Sequence, residues 1–201
     1  MRGANKTKLL LAESMKQLMQ KMPLEKISVS DIVEHADIGR NTFYYHFQDK
    51  YDLVIWIFQT ESAALFADSL NQGNWYNAME LLEGYLQQNR EFYCNALAYD
   101  GQNSLREYLF ELFKDMVMQQ ILEQEAESGT MLPQRDLEFA ADFFAGALQG
   151  VLVRWARQGM KTPPVAYRES VNRVLQSTWA RSYFLGEKLP DADTGRQSHI
   201  G

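Results

Sequence analysis

Apolar residues recur at helical spacing along nearly the whole chain. Leu11, Met15, Leu18, Met19 and Met22 follow the i, i+4, i+7, i+8, i+11 pattern, which predicts an amphipathic helix from about Asn5 to Met22. Lys8, Glu13, Lys16 and Lys21 occupy its other face, and Pro23 ends it. Ser28 followed three residues later by Asp31 is a variant capping box, so a second helix starts there; Ile32 and Ala36 give it a short apolar stripe. The pattern breaks at Asp37-Ile38-Gly39, where Gly39 suits a sharp turn and can serve as an N-cap, and resumes from Arg40 with Phe43 and Phe47 one turn apart. Asp49, with Asp52 three residues on, caps a long helix reaching about Leu70. Its first turns are apolar almost all round, so it must be covered on several sides and joins the N-terminal part to the rest.

Further helical patterns fill about Trp75–Gln88, Arg90–Ala98, Ser104–Glu127, Gln134–Gln158 and Pro163–Leu185, with short Gly, Asn and Pro breaks between them. No strand-like alternation of useful length, repeat or low-complexity linker interrupts them. The expected fold is all-α, with about nine helices: a three-helix N-terminal head over residues 1–52, a larger helical body over 53–186, and a polar, disordered tail over 187–201.

At about 100° per residue, Asn41 and Tyr45 point away from the Phe43/Phe47 face, with Thr42, Tyr44 and His46 on its flanks. Two readings of this face are open. The tyrosines extend the core of the head, or the face is a contact surface whose groups hydrogen-bond to base edges and phosphates.

Charge changes the picture only through its distribution. The chain of 201 residues has a net charge of −6, which argues against bulk attraction to nucleic acid. Residues 1 to 50, however, hold eight Lys and Arg against six acids, and the rest of the chain twelve against twenty. A modestly basic head on an acidic body follows. The single Cys94, beside Phe92 and Tyr93, fits a reducing compartment and a buried thiol. With no leader pattern and no apolar run near the ~20 residues that span a bilayer, a cytoplasmic location without membrane partners is expected. His35, His46 and His199 lie in no metal-ligand spacing, and neither a phosphate loop nor a nucleophile elbow is present. No metal, cofactor or catalytic residue is expected.

Two later segments are richer in apolar residues than one buried face requires. From Leu137, residues Phe139, Phe143, Phe144, Leu148, Val151, Leu152 and Trp155 surround much of the helix, while Gly146 and Gly150 invite close approach. From Pro163, residues Val165, Val171, Val174, Leu175, Trp179, Tyr183 and Phe184 do the same, so a face of each can pack against a second chain. Trp56, Tyr76, Phe92, Tyr93, Met116, Met118 and Trp155 are candidates both for plain core and for a ligand cavity.

The run DIVEHADIGRNTFYYHFQDKYDL resembles the helix-turn-helix signature of the tetracycline-repressor (TetR) family. Ile32, Ala36, Ile38, Tyr44, His46, Phe47 and Lys50 fall on that pattern, whereas Asp37, Gly39 and Asn41 stand where the family has Gly, Ser and often Gly. The spelling RNTFYYHFQDKYDL, with RWARQGMKTPP further on, is similar to the dihydroxyacetone-kinase regulators of that family. The resemblance implies a transcriptional regulator, not an enzyme. Its last two long helices would form a four-helix bundle between the subunits of a homodimer, and two recognition helices would enter successive major grooves about 34–36 Å apart on a palindromic operator in double-stranded DNA. It further implies that Thr42, Tyr45, Arg40 and Asn41 approach bases, that Tyr44, His46 and Lys50 hold phosphates, and that Arg2, Lys6 and Lys8 approach the backbone from an N-terminal arm. A small-molecule effector or partner protein bound in the body would shift the spacing of the heads. Two alternatives are a helical protein-interaction module whose helix-turn-helix reads no DNA, and a small helical enzyme whose groups meet only in the fold.

Overall fold

The computed structural model describes residues 2–71, 75–129 and 131–162, together with 169, 170 and 173. Among these residues there are eight α-helices, one 3-10 turn and no strand. The helices are α1 (Arg2–Met19), α2 (Val29–His35), α3 (Arg40–His46), α4 (Lys50–Asn71), α5 (Trp75–Gln88), α6 (Arg90–Ala96), α7 (Leu105–Ser128) and α8 (Gln134–Arg157), and the 3-10 turn is Leu24–Lys26. The helical periods place all eight, and α5 coincides with its expected span. The ninth helix, expected from Pro163, and the tail over 187–201 lie outside the described residues.

Residues Met1–Thr162 form one compact unit and Pro163–Gly201 a second. In the second, the Arg173 guanidinium donates to the Glu169 carboxylate at 3.5 Å and to Ser170 Oγ at 3.1 Å.

In the first unit, the apolar stripe of α1 is buried through Leu11, Met15, Leu18 and Met19 against α2 and α4. Helix α4 buries Leu53, Val54, Ile57 and Phe58, and it packs against α1, α5 and α7, which is why its first turns are apolar on every side. Its start is capped as the acidic pair predicts: Asp49 Oδ1 accepts from the N–H groups of Tyr51 and Asp52 at 2.7 and 2.8 Å, and Asp52 Oδ2 accepts from Gln48 N–H at 3.0 Å. Helices α7 and α8 pack along each other. Ser104 caps α7, and Gly129, with φ of 71°, ends it in the left-handed conformation that favours glycine.

Helix α8 turns Leu137, Ala141, Ala145, Leu152, Trp155 and Ala156 inward and leaves Phe139, Phe143, Phe144 and Val151 exposed. A Cβ on Gly146 would meet only Phe110, at 3.9 Å, and one on Gly150 would meet nothing within 4 Å. Packing inside this unit therefore does not explain Gly150.

A chain of polar contacts ties α1 to the body. Lys16 pairs with Glu61 on α4, Tyr85 on α5 donates to the same carboxylate at 2.7 Å, and the buried Tyr93 on α6 meets the Tyr85 hydroxyl at 2.6 Å. Burial is the main force raising the pKa of both phenols, so they stay neutral donors. Of the seven cavity candidates, Phe92, Tyr93 and Trp155 are buried core, Trp56, Met116 and Met118 are half-buried, and the side chain of Tyr76 is outside the described residues. A cleft of about 340 Å³ opens between the starts of α4 and α7, lined by Asp49, Asp52, Ser104 and Glu107 among others.

Candidate nucleic-acid interface

Ser28 and Asp31 build the start of α2 as a reciprocal cap. Asp31 N–H donates to Ser28 Oγ at 3.2 Å, while Ser28 N–H and its hydroxyl donate to Asp31 Oδ2 at 2.7 Å each. The Ser28 hydroxyl and N–H together hold the Asp31 carboxyl below its ordinary pKa of 3.8. The buried Ser14 hydroxyl on α1 donates to the Ile32 carbonyl at 2.8 Å and so fixes how α2 crosses α1.

The turn after α2 takes its left-handed residue at Asp37, where the family has glycine. Asp37 carries the left-handed conformation, with φ of 53°, whereas Gly39 is extended at φ −68° and ψ 143°. Asp enters that region at lower cost than most residues, so it replaces the family's glycine without loss of the turn. Gly39 therefore needs no glycine freedom. It is the N-cap of α3 without a side chain, and the Thr42 N–H closes the first turn on the Gly39 carbonyl at 2.9 Å. The start of α3 at Arg40 survives the missing hydroxyl.

The inner face of α3 is anchored by Phe43 and Phe47, both buried, with ring centres 5.8 Å apart and Phe47 a further 5.7 Å from Trp56. The outer face carries Arg40, Asn41, Thr42, Tyr44 and Tyr45, all exposed; Tyr45 is 82% exposed and Tyr44 48%. This decides against the tyrosines as core. Arg40 donates to the Tyr44 hydroxyl at 3.3 Å and lies 5.6 Å from the centre of its ring. His46 is half-buried, its ring edge-on to Tyr45 at 4.9 Å. Six of the seven expected contact residues thus share one short helix.

Lys50, the seventh, stands apart. Its Nζ donates to the carbonyls of Leu24, Glu25 and Ile27 at 2.8, 2.9 and 2.7 Å. An ammonium has three donors, so the geometry leaves a charge here but no hydrogen for a phosphate. Desolvation is the largest influence and lowers its pKa, against the opposing pull of Glu25 and Asp49. The Lys8 Nζ lies 5.1 Å and 5.3 Å from the ring centres of Phe47 and Trp56. Lys6 is exposed, and the side chain of Arg2 is outside the described residues.

Asn95, on α6, was not legible as a site residue. Its Oδ1 accepts from Leu24 N–H at 2.8 Å, and its Nδ2 donates to the carbonyls of Met19 and Met22 at 2.9 Å each. The only sequence signal was an amide inside an otherwise apolar helical run, where Asn is a poor helix former without a tertiary partner.

Among the described residues no group of three or more His, Cys, Asp or Glu is placed to hold a metal, and no helix is long and apolar enough to cross a membrane. Cys94 is half-buried, and burial pushes its thiol pKa up.

Comparison with known proteins agrees with the geometry. A family model described as "Bacterial regulatory proteins, tetR family" matches residues 5–56, and one described as "Transcriptional regulator C-terminal region" matches residues 73–177. The chain is 31% identical over 169 residues to the HTH-type dhaKLM operon transcriptional activator DhaS of Lactococcus lactis subsp. lactis (strain IL1403), covering 84% of this chain and 89% of the relative. A solved structure of a dihydroxyacetone kinase operon activator DhaS superposes with a TM-score of 0.61 at 29% identity, covering 84% of this chain and 94% of that one. The fatty acid degradation regulator FadR from Bacillus halodurans matches with a TM-score of 0.59 at 17% identity over the same shares, a likeness of fold alone.

Proposed function

The chain belongs to the TetR family of bacterial transcriptional regulators, and from that premise we propose that it works as a homodimer reading a palindromic operator with α3. The observation that carries the reading is the outer face of α3, where exposed Asn41, Thr42 and Tyr45 project from a helix whose inner face is locked by Phe43 and Phe47. In this reading Thr42 and Tyr45, flanked by Arg40 and Asn41, approach base edges, while Tyr44 and His46 hold phosphates. Lys50 shapes the head from within instead of meeting the backbone of DNA.

Functionally the chain divides into a reading head over residues 1–52 and a regulatory body over 53–186. A second copy meets the exposed face of α8, where Phe139 and Phe143 are 69% and 50% exposed and Gly150 leaves room for close helix approach. A small molecule or partner protein acting on the body biases the spacing of the heads, and the protein acts in the cytoplasm. The reading assigns no catalytic step to the chain.

Selection of bound sites from a random DNA library tests it, with the promoter of a dihydroxyacetone kinase operon as a first candidate suggested by the relative DhaS. A recovered palindrome, with Thr42→Ala or Tyr45→Ala relaxing preference at defined base pairs, is the expected result. Recovery of no enriched site, or of one that both variants bind unchanged, refutes the assignment of this face.

A further inference from the structure

We propose that Asn95 is a positioning residue: from α6 of the body it sets the tilt of the reading head, and thereby the half-site spacing that a pair of heads accepts. The proposal rests on the DNA-reading function above.

The segment from Met19 to Ile27 leads out of α1 and into Ser28, the cap of α2. Its backbone is gripped by two side chains that come from different helices. Asn95 takes the Leu24 N–H and gives its amide hydrogens to the Met19 and Met22 carbonyls; Lys50 gives its three hydrogens to the Leu24, Glu25 and Ile27 carbonyls. Leu24 is thus held at both ends, its N–H by α6 and its C=O by α4. The Leu24 side chain is itself buried, so the residue cannot slip sideways out of this grip.

A displacement of α6 relative to α4 must therefore break hydrogen bonds to this segment or carry the segment with it. Because the segment runs directly into the capping box of α2, and α2 packs on α3, the recognition helix moves with it. The amide is not needed for packing. Around Asn95 on its own helix, Phe92, Tyr93 and Ala96 are buried apolar groups, and a leucine, branched alike at Cγ, would match that apolar pattern better. What only the amide supplies is a matched set of one acceptor and two donors for a backbone 71 to 76 residues away in sequence. A dimer that reads two half-sites converts head tilt into spacing, so looseness at Leu24 appears as tolerance of the wrong spacing.

The test uses the full-length chain and the palindrome recovered by selection. Asn95→Leu keeps the branched shape at Cγ in a larger side chain and removes all three bonds. Binding is compared on that palindrome and on the same site with one base pair inserted between the half-sites, beside thermal melting and tryptic cleavage after Lys21 and Lys26. The expected result is about a tenfold loss on the selected site, a several-fold smaller ratio between the two spacings, and faster cleavage in the segment. An unchanged spacing ratio overturns the proposal, even where affinity falls along with melting temperature, because a merely stabilising residue would do that. If the variant does not fold, amide exchange in the unmutated protein decides: protection of the Leu24 N–H matching that of the α6 amides supports the tie, and exchange as fast as a free peptide overturns it. If the unmutated protein binds no DNA, the function above fails by itself, and cleavage and exchange still judge the tie.

Discussion

Substitution of Lys50 by Met separates a structural clasp from a phosphate anchor. The change keeps most of the apolar stem and removes the ammonium, with its three hydrogen bonds of 2.7 to 2.9 Å to the Leu24, Glu25 and Ile27 carbonyls. Hydrogen bonds to a charged group contribute about 1.5–3 kcal/mol each. The full sum does not apply here, because Lys50 is half-exposed, Glu25 and Lys26 are exposed, and water can reach the freed carbonyls. A net loss of about 2–3 kcal/mol is the expected magnitude. For a unit the size of Met1–Thr162, each kcal/mol lowers Tm by about 2–4 °C, giving a drop of roughly 5–10 °C. Operator affinity measured from about 50 to 200 mM salt should keep its slope, since no phosphate contact is lost, while a lost contact would reduce the log–log slope by about 0.9. Calorimetry and a salt titration on the same samples check both. A slope lower by about one unit with Tm unmoved would refute the clasp and restore the phosphate role.

Asp31→Asn should weaken the start of α2, and in the unsubstituted protein acid should do the same. The folded pKa lies below the ordinary 3.8, so the stability from the cap is fully present above that value and is lost as pH falls through the lower folded value. An acid melt in which the difference between variant and parent is largest above pH 3.8 and shrinks as pH falls below it is the expected outcome. Asp37→Val should cost about 1–2 kcal/mol, because a branched side chain is strained at φ 53°, and Asp37→Gly should cost far less; urea denaturation compares them. Phe143→Glu should convert the dimer to monomer in analytical ultracentrifugation while α7 and α8 stay folded, since Phe143 is exposed within the unit. A dimer that persists would place the interface elsewhere.

Periodicity carried most of the fold, because a helix must bury its apolar stripe and the stripe is written at fixed spacing in the chain. The cap at Ser28 and Asp31, the helix start at Asp49, and the inward pair Phe43 and Phe47 were all readable because each depends on residues at most four apart. For the same reason the outer face of α3 was legible as a set. The turn was legible in its parts: Gly39 serves as the N-cap of α3, and Asp37, standing where the family has glycine, takes the left-handed conformation open to Asp.

What tertiary structure alone decided is the fate of long side chains. Lys8 and Lys50 read from sequence as candidate backbone contacts, and nothing in their own neighbours told that one lies over Phe47 and Trp56 and the other ends on three carbonyls 23 to 26 residues away. Asn95 finds its partners more than seventy residues away. Helical stripes and caps are short-range and so are present in the order of residues. The partner of a flexible polar side chain is whichever backbone group folding leaves unsatisfied within its reach, and that is determined only once α1, α4 and α6 have packed together.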